Sequence, residues 1–356
     1  MISKDQINEL SKRFAIDEFT IIKEYLQVVF LSILYSTNES QKIYFKGGTA
    51  IRLLLKSGRF SEDLDFTAEL TTKELDKITA ETVKKMILVV PNITIKRTQE
   101  TDISYTAILS YLPEGSKYPL TIHLDFSLRE KPETSKEDIL ETDFPVAPQP
   151  VIRHMDWNEI LSEKIRAFLY RQKGRDIYDL WFMLSKGVEL DWNMINRKTE
   201  FYNMKTSFDD ILKRVMEFDN KKIKEDLGKF LPAHDRGLVA QLKSMTIKQL
   251  VARQSFTIAT SENIDYTKVP GHSFSGIDKF LELEDVATTK ITEIKRQDEN
   301  SIVVKMITIS KIEAIAYIRA RSRNGVRELN MIINKADTFK GLPYDEFVNK
   351  NLIFKI

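Results

Sequence analysis

The ten residues PLTIHLDFSL (119–128) constrain the fold more tightly than any other stretch of this 356-residue chain. Leu120, Ile122, Leu124, Phe126 and Leu128 alternate with Thr121, His123, Asp125 and Ser127. A period of two marks a strand with one face on a core and the other polar, so Asp125 belongs to the polar face. The stretch GRFSEDLDFT (58–67) repeats the pattern at shorter length, with Leu64 and Phe66 pointing one way and Asp63 and Asp65 the other. If the two strands are neighbours, Asp63, Asp65 and Asp125 converge on one face of a sheet. Three carboxylates so placed repel one another unless cations lie between them.

The rest of the chain supplies helices around such a sheet. Ile21, Ile22, Tyr25, Leu26, Val29, Phe30, Ile33 and Leu34 recur at three- and four-residue spacing, and the first 40 residues read as helix. IYFKGGTAIRLLL (43–55) reads as a short apolar strand, a Gly-Gly turn and a helix, and 72–89 as a further helix. Strands are expected over 92–98, 103–112 and 119–128. The charged, then proline-rich segment 131–150 reads as a connection, and 157 to about 253 as helical, broken near LPAHDRG. A second linker is expected over 259–276, β-type alternation at 300–310, and a hairpin turning at Asn324-Gly325. The fold class is therefore α+β: a core of mixed β-sheet with N-terminal helices (1–150), a helical domain (151–255) and a small C-terminal α/β module (277–356).

Composition narrows the chemistry. There is no Cys, which excludes disulfides, thiolate metal sites and cysteine nucleophiles and fits a cytoplasmic protein. The four His (His123, His154, His234, His272) form no close pair at metal-ligand spacing, so zinc is not expected. The N-terminus lacks a signal sequence and no apolar run reaches membrane-spanning length, so neither export nor a membrane partner is expected. A net charge of +2 does not by itself call for nucleic acid; binding of that kind needs a local basic patch.

What could sit opposite the carboxylates is a pair of Mg²⁺ ions, roughly 4 Å apart in such sites, clamping a triphosphate. FKGGTA provides the complementary part. Gly47 and Gly48 stand between a strand and a helix, where backbone N–H groups favour an anion. Thr49 can cap that helix or bind phosphate, and Lys46 and Arg52 add positive charge. Taken singly, a Gly-Gly pair is weak evidence and EDLD is more often a solvated edge or a helix cap. The combination of Gly-Gly, two same-face Asp and a later strand Asp rarely arises from packing alone.

In these residues the chain resembles the DNA polymerase β-like nucleotidyltransferases. More narrowly, KGGTAIRLLLKSGRFSEDLDF resembles the AbiEii-type toxins of abortive-infection and type IV toxin–antitoxin systems. EKIRAFLYRQKGRDIYDLWFML (163–184) is similar to the family's helical motifs, a Lys followed by RDxxD. The resemblance covers about 40 to 190, extends at most to 250, and does not reach the C-terminal hundred residues. It implies that Gly47, Gly48 and Ser61 hold phosphates, joining Lys46 and Thr49 as read from the residues, that Asp63 and Asp65 bind Mg²⁺, and that Asp125 is the third carboxylate and helps activate an attacking hydroxyl. It also implies that Lys164 contacts the triphosphate and that Asp176 sits near the active site, supported by Asp179. Fourteen residues lie between Gly48 and Asp63, slightly more than the commonest superfamily spacing, which the AbiEii-like branch accommodates.

Read from the residues alone, Lys164 lies at the edge of the stripe Leu161, Ile165, Phe168 and Leu169, and a solvated lysine is the plainer alternative. Gly174 reads as a helix C-cap, Asp176 as a cap of the next helix, and Arg175 with Asp179 as an i,i+4 ion pair. His123 shares the face of Asp125. Tyr170, Trp181 and Phe182 read as core aromatics. Arg319, Arg321, Arg323 and Arg327 suit phosphate contacts or a solvated hairpin.

The resemblance implies a Mg²⁺-dependent toxin, antiviral in setting, that moves a nucleoside monophosphate from an NTP to an acceptor. The expected acceptor is a tRNA 3′ end, and the expected partner an antitoxin encoded elsewhere. Lys164, Arg166, Arg171, Lys173 and Arg175 favour RNA. The alternatives are a protein-modifying transferase, such as an AMP-adding one, and a catalytically silent nucleotide- or RNA-binding module, against which the presence of all three carboxylates weighs.

Overall fold

The computed structural model describes residues 1–171 and 173–261, together with strands at 289–298, 301–308, 313–323, 326–334 and 351–353. The chain divides into two compact units, Met1–Lys243 and Ser244–Ile356.

The first unit is built on a seven-stranded mixed sheet. Its strands are β1 (Ile43–Lys46), β2 (Leu64–Ala68), β3 (Ile93–Thr101), β4 (Ser104–Tyr111), β5 (Leu120–Ser127), β6 (Ser135–Ile139) and β7 (Val151–Met155), in the order β3-β4-β5-β2-β1-β7-β6. β2 runs parallel to β5, and β1 parallel to β7; the remaining pairs are antiparallel.

Register makes the alternation three-dimensional. Phe45, Phe66, Phe126 and Tyr105 occupy successive partner positions on β1, β2, β5 and β4. All four are buried, and the rings of Phe66 and Phe126 stack at 4.6 Å between centroids. Helices α1 (Lys4–Phe14), α2 (Glu18–Leu34) and α4 (Thr72–Met86) contribute to the same core. α2 is buried almost all round, because it lies between this sheet and its neighbouring helices. Ala15, in a left-handed conformation, ends α1, and Asp17 caps α2 by accepting from the Thr20 N–H, so the expected N-terminal helix is two helices.

The segment 131–150 is not only a connection. It contains β6, whose residues are all exposed, paired with β7 on the sheet's edge. A strand with no buried face shows no alternation, which is why periodicity does not reveal it.

After β7 come α5 (Trp157–Tyr170), α6 (Gly174–Ser185), α7 (Trp192–Glu200), α8 (Phe208–Glu217) and α9 (Asn220–Leu227), with a 3₁₀ turn (Ala233–Ala240) at the expected break. Gly174 begins α6 rather than closing α5, and its N–H donates to Asp226 at 2.6 Å. Phe182 is buried as expected, but Tyr170 is 83% exposed, because it is the last residue of α5 and extends past the helical packing. The layer is tied to the sheet's surrounding segments by backbone bonds from Phe60 N–H, in the loop before β2, to the Phe230 carbonyl and from Ala233 N–H to the carbonyl of Ala15 at the end of α1.

α10 (Leu242–Ser261) contains the boundary between the units. The second unit holds a five-stranded antiparallel sheet of β8 (Thr289–Asp298), β9 (Ser301–Thr308), β10 (Glu313–Arg323), β11 (Val326–Asn334) and β12 (Asn351–Ile353), in the order β12-β11-β10-β9-β8. Arg323 pairs with Val326 across β10 and β11. The expected turn residues Asn324 and Gly325, and most of the expected linker at 259–276, lie outside the described residues.

Candidate active site

The row of residues one position away from the buried aromatics faces the other way, and it is polar. Lys46 partners Asp65, Asp65 partners Asp125, and Asp125 partners Thr106, across β1, β2, β5 and β4. Directly opposed side chains share a face, so the register alone sets two carboxylates beside each other with a lysine next in line. Asp63, two residues before Asp65, and His123, two before Asp125, extend this face.

The turn from β1 into α3 (Gly47–Leu53) packs against it. Gly47 has φ +79°, where an L side chain is strained, and a Cβ there would lie 2.0 Å from the Asp65 Oδ2. A Cβ on Gly48 would lie 2.5 Å from the Arg59 Nη2 and 3.0 Å from the Ser61 Oγ. The two glycines thus let the backbone come directly against Asp65, Arg59 and Ser61. Thr49 is fully buried and its hydroxyl donates to the Asp63 carbonyl, which ties α3 to the lead-in of β2. The Ser61 carbonyl accepts from the Gln27 Nε2 at 3.0 Å.

Electrostatics single out the carboxylates. The Asp125 carboxyl is pushed up to about 6, first by burial and then by the charges of Asp65 and Asp63, with His123 opposing. Asp65 is also raised, by burial and by Asp63, against the pull of Lys164, Lys46 and Arg171. Among the described residues, no ion pair reaches the carboxylates of Asp63, Asp65 or Asp125. Nor, among the described residues, are three His, Cys, Asp or Glu gathered closely enough to form a metal group by themselves.

Cations surround the face but are held by other acids. Lys46 pairs with Glu163 of α5 at 3.0 Å. Lys164 pairs with Asp179 of α6 at 2.8 Å. Asp179 also accepts the Arg59 Nε at 2.9 Å and Nη2 at 3.0 Å, and both Arg59 and Asp179 are buried. Burial pushes Asp179 up, but Arg59 and Lys164 outweigh it and hold the carboxyl below its ordinary range. Asp176, fully buried, accepts the Arg171 Nε and Nη2 at 2.8 and 2.9 Å.

The sites expected from sequence are therefore assembled in two groups. Lys46, Gly47, Gly48, Ser61, Asp63, Asp65 and Asp125 line the sheet face, with Thr49 buried beneath it. Lys164, Asp176 and Asp179 belong to the helical layer. Two expectations change. Asp179 is paired with Arg59 and Lys164 rather than Arg175, because a partner from another element neutralises it where it is buried. Arg52 turns away from the face: it forks onto Glu24 at 2.8 and 3.1 Å and lies over the Phe60 ring at 3.8 Å. Arg59 and Glu163 were not foreseen; an Arg in RFSED carries no local sign that its partner lies on α6.

A Gly-Gly turn thus lies against β2 and its lead-in, which carry Asp65 and Asp63, with a third carboxylate on the parallel neighbour, in a mixed-sheet α+β core. The chain belongs to the nucleotidyl transferase AbiEii toxin family of type IV toxin–antitoxin systems, whose profile matches residues 30–251. Among solved structures it is similar to JHP933 from Helicobacter pylori, at 21% identity over 69% of this chain and 97% of that one, with a TM-score of 0.45. It is also similar to a putative nucleotidyltransferase from H. pylori, at 21% identity over 68% and 99%, with a TM-score of 0.44. A further similar structure is MenT4, a nucleotidyltransferase toxin from Mycobacterium tuberculosis, at 16% identity over 75% and 92%, with a TM-score of 0.49. No curated protein sequence matches the chain. Membership in a type IV toxin–antitoxin family implies a cognate antitoxin, and no described helix is long and apolar enough to cross a membrane.

Proposed function

We propose that this chain transfers a nucleoside monophosphate from an NTP to the 3′ end of a tRNA, and that the transfer depends on Mg²⁺. The observation that carries this reading is the row Lys46–Asp65–Asp125, with the backbone of Gly47 against Asp65. The carboxylates fit a hard cation: they are oxygen donors, they repel one another, and no described side chain neutralises them by an ion pair. That they do not form a closed three-ligand group is compatible with Mg²⁺, which usually takes one or two carboxylates and completes its shell with substrate phosphates and water. Asp63, Asp65 and Asp125 are the residues that would hold it, and it would supply charge neutralisation at the triphosphate.

Lys46, Ser61 and the backbone N–H groups of Gly47 and Gly48 are placed to receive phosphate oxygens. Lys164 can serve the same end by turning from Asp179. Asp125, on the strand beside Asp65, is placed to take the proton of the attacking hydroxyl. The acceptor oxygen then bonds to the α-phosphorus, the bond from that phosphorus to the β-phosphate oxygen breaks, and pyrophosphate leaves. Positioning and charge neutralisation dominate such a reaction, which needs no nucleophilic side chain.

Family membership supports a toxin acting through this chemistry. The basic residues at the start of α6 (Lys173, Arg175) support an RNA acceptor, whereas Arg171 is forked onto Asp176. Arg166 is spent otherwise, stacked 3.8 Å over the Tyr202 ring. The test is incubation of the purified full chain with total tRNA, Mg²⁺ and each labelled NTP in turn, beside an Asp63→Ala/Asp65→Ala variant. Label on RNA in the wild type alone is the expected result. Label on protein would transfer the reading to a protein-modifying enzyme, and no transfer by a folded, nucleotide-binding chain would overturn it.

A further inference from the structure

Tyr170 is the one expected core aromatic of α5 and α6 that the fold leaves almost bare, at 83% exposed. Its place is specific. It lies seven residues beyond Glu163 on α5, so the two share a helix face about 10 Å apart along the axis. Glu163 on that face holds Lys46 at 3.0 Å, and Lys46 stands directly opposite Asp65 on the neighbouring strand. Tyr170 therefore lies on the side of α5 that meets β1 through the Glu163–Lys46 pair. The next residue, Arg171, forks its guanidinium onto the buried Asp176, and its charge is among those that act on Asp65. Lys173, also exposed, adds a second positive charge three residues along the chain.

An exposed aromatic ring followed in the chain by cations, on the side of its helix that meets a phosphate-handling strand, is an arrangement that can stack a nucleobase while the cations take the backbone. We propose that Tyr170 is a nucleobase-stacking platform at the mouth of the active site. The inference rests on the transfer reading above and deepens it by naming where a base is held. The base is either that of the incoming NTP or the terminal base of the acceptor RNA. Both offer the same π-face, and sequence preference is not required of such a contact.

The experiment is equilibrium binding by the full chain, with Mg²⁺ present, of each NTP and separately of a short single-stranded oligoribonucleotide. Wild type is compared with Tyr170→Phe and Tyr170→Ala, and inorganic triphosphate and an oligonucleotide lacking its terminal base serve as probes without a base. Stacking on one aromatic ring predicts about 5- to 100-fold weaker binding in Tyr170→Ala, with Tyr170→Phe near wild type. The base-free probes should be insensitive to either substitution. A loss confined to NTPs assigns the platform to the incoming nucleotide, and one confined to the oligonucleotide assigns it to the acceptor. Unchanged binding of both, an equal loss with Tyr170→Phe, or an equal loss with the base-free probes would overturn the inference. Because the readout is binding, a Tyr170-dependent affinity in a chain that transfers no label would refute the reaction and leave the platform standing. Transfer that proceeds with Tyr170-independent affinity would do the reverse.

Discussion

Asp65 and Asp125 stand directly opposite each other on the parallel strands β2 and β5, on the polar face of a sheet whose other face stacks Phe66 on Phe126. The aromatic pair holds the register that forces the carboxylates together, so the repulsion between them is a consequence of the core. Slipping the register by one residue would exchange the two faces and bury the acids, which is why the pairing is strongly specified.

This relationship predicts a stability that falls with pH. The Asp125 carboxyl is raised from an ordinary value near 4 to about 6, so between those values the native state binds more protons than the unfolded state. Stability is therefore higher below this window and decreases as pH rises through it. Asp125→Asn removes the charge and should stabilise the apo protein at pH 7.5 by about 1 kcal/mol, after discounting for partial exposure. The gain should vanish near pH 4, as read from thermal melts across pH.

Mg²⁺ should reverse that order. Millimolar Mg²⁺ with a non-hydrolysable NTP should raise the wild-type melting temperature and leave Asp63→Asn/Asp65→Asn unmoved. Equal shifts in both proteins would place the ion elsewhere.

Arg59→Ala leaves Asp179 buried with only Lys164 to neutralise it. Leaving a buried charge wholly unpaired costs about 3–5 kcal/mol, and with Lys164 still in place the urea midpoint should fall by less than that figure implies. An Arg59→Met/Lys164→Met/Asp179→Leu variant, which removes all three charges together, should recover much of that loss while still impairing transfer, because the lysine placed to reach the triphosphate is gone.

Gly47→Ala combines a left-handed φ of +79° with a Cβ set 2.0 Å from Asp65 Oδ2. Strain of this kind costs about 1–3 kcal/mol before the clash is relieved, and the relief must displace Asp65. Gly115→Ala is the matched control, since Gly115 has φ +77° and open space around it. Both variants should lose stability in denaturant melts, but Gly47→Ala alone should lose transfer.

Thr49→Val keeps the shape of a buried side chain and removes the hydroxyl that donates to the Asp63 carbonyl. A loss of about 1–3 kcal/mol is expected in urea melts, with a larger drop in kcat than in NTP affinity, because the lead-in that positions Asp63 is loosened.

The elements legible in the sequence are those in which one face meets a core. The alternation at 120–128 and 64–66 was enough to place Asp63, Asp65 and Asp125 on polar faces, and Gly47-Gly48 marked the turn beside them. Side-chain period is a local property of the backbone, so a few residues suffice to express it. Which strands are neighbours, the burial of the Arg59–Asp179 pair, the all-exposed edge strand β6 and the emergence of Tyr170 from the end of α5 were left to the tertiary structure. Each depends on what lies across from a residue, not beside it in the chain. A buried charge takes whichever partner the packing brings to it, and a helix end is covered or bare according to where its neighbours stop.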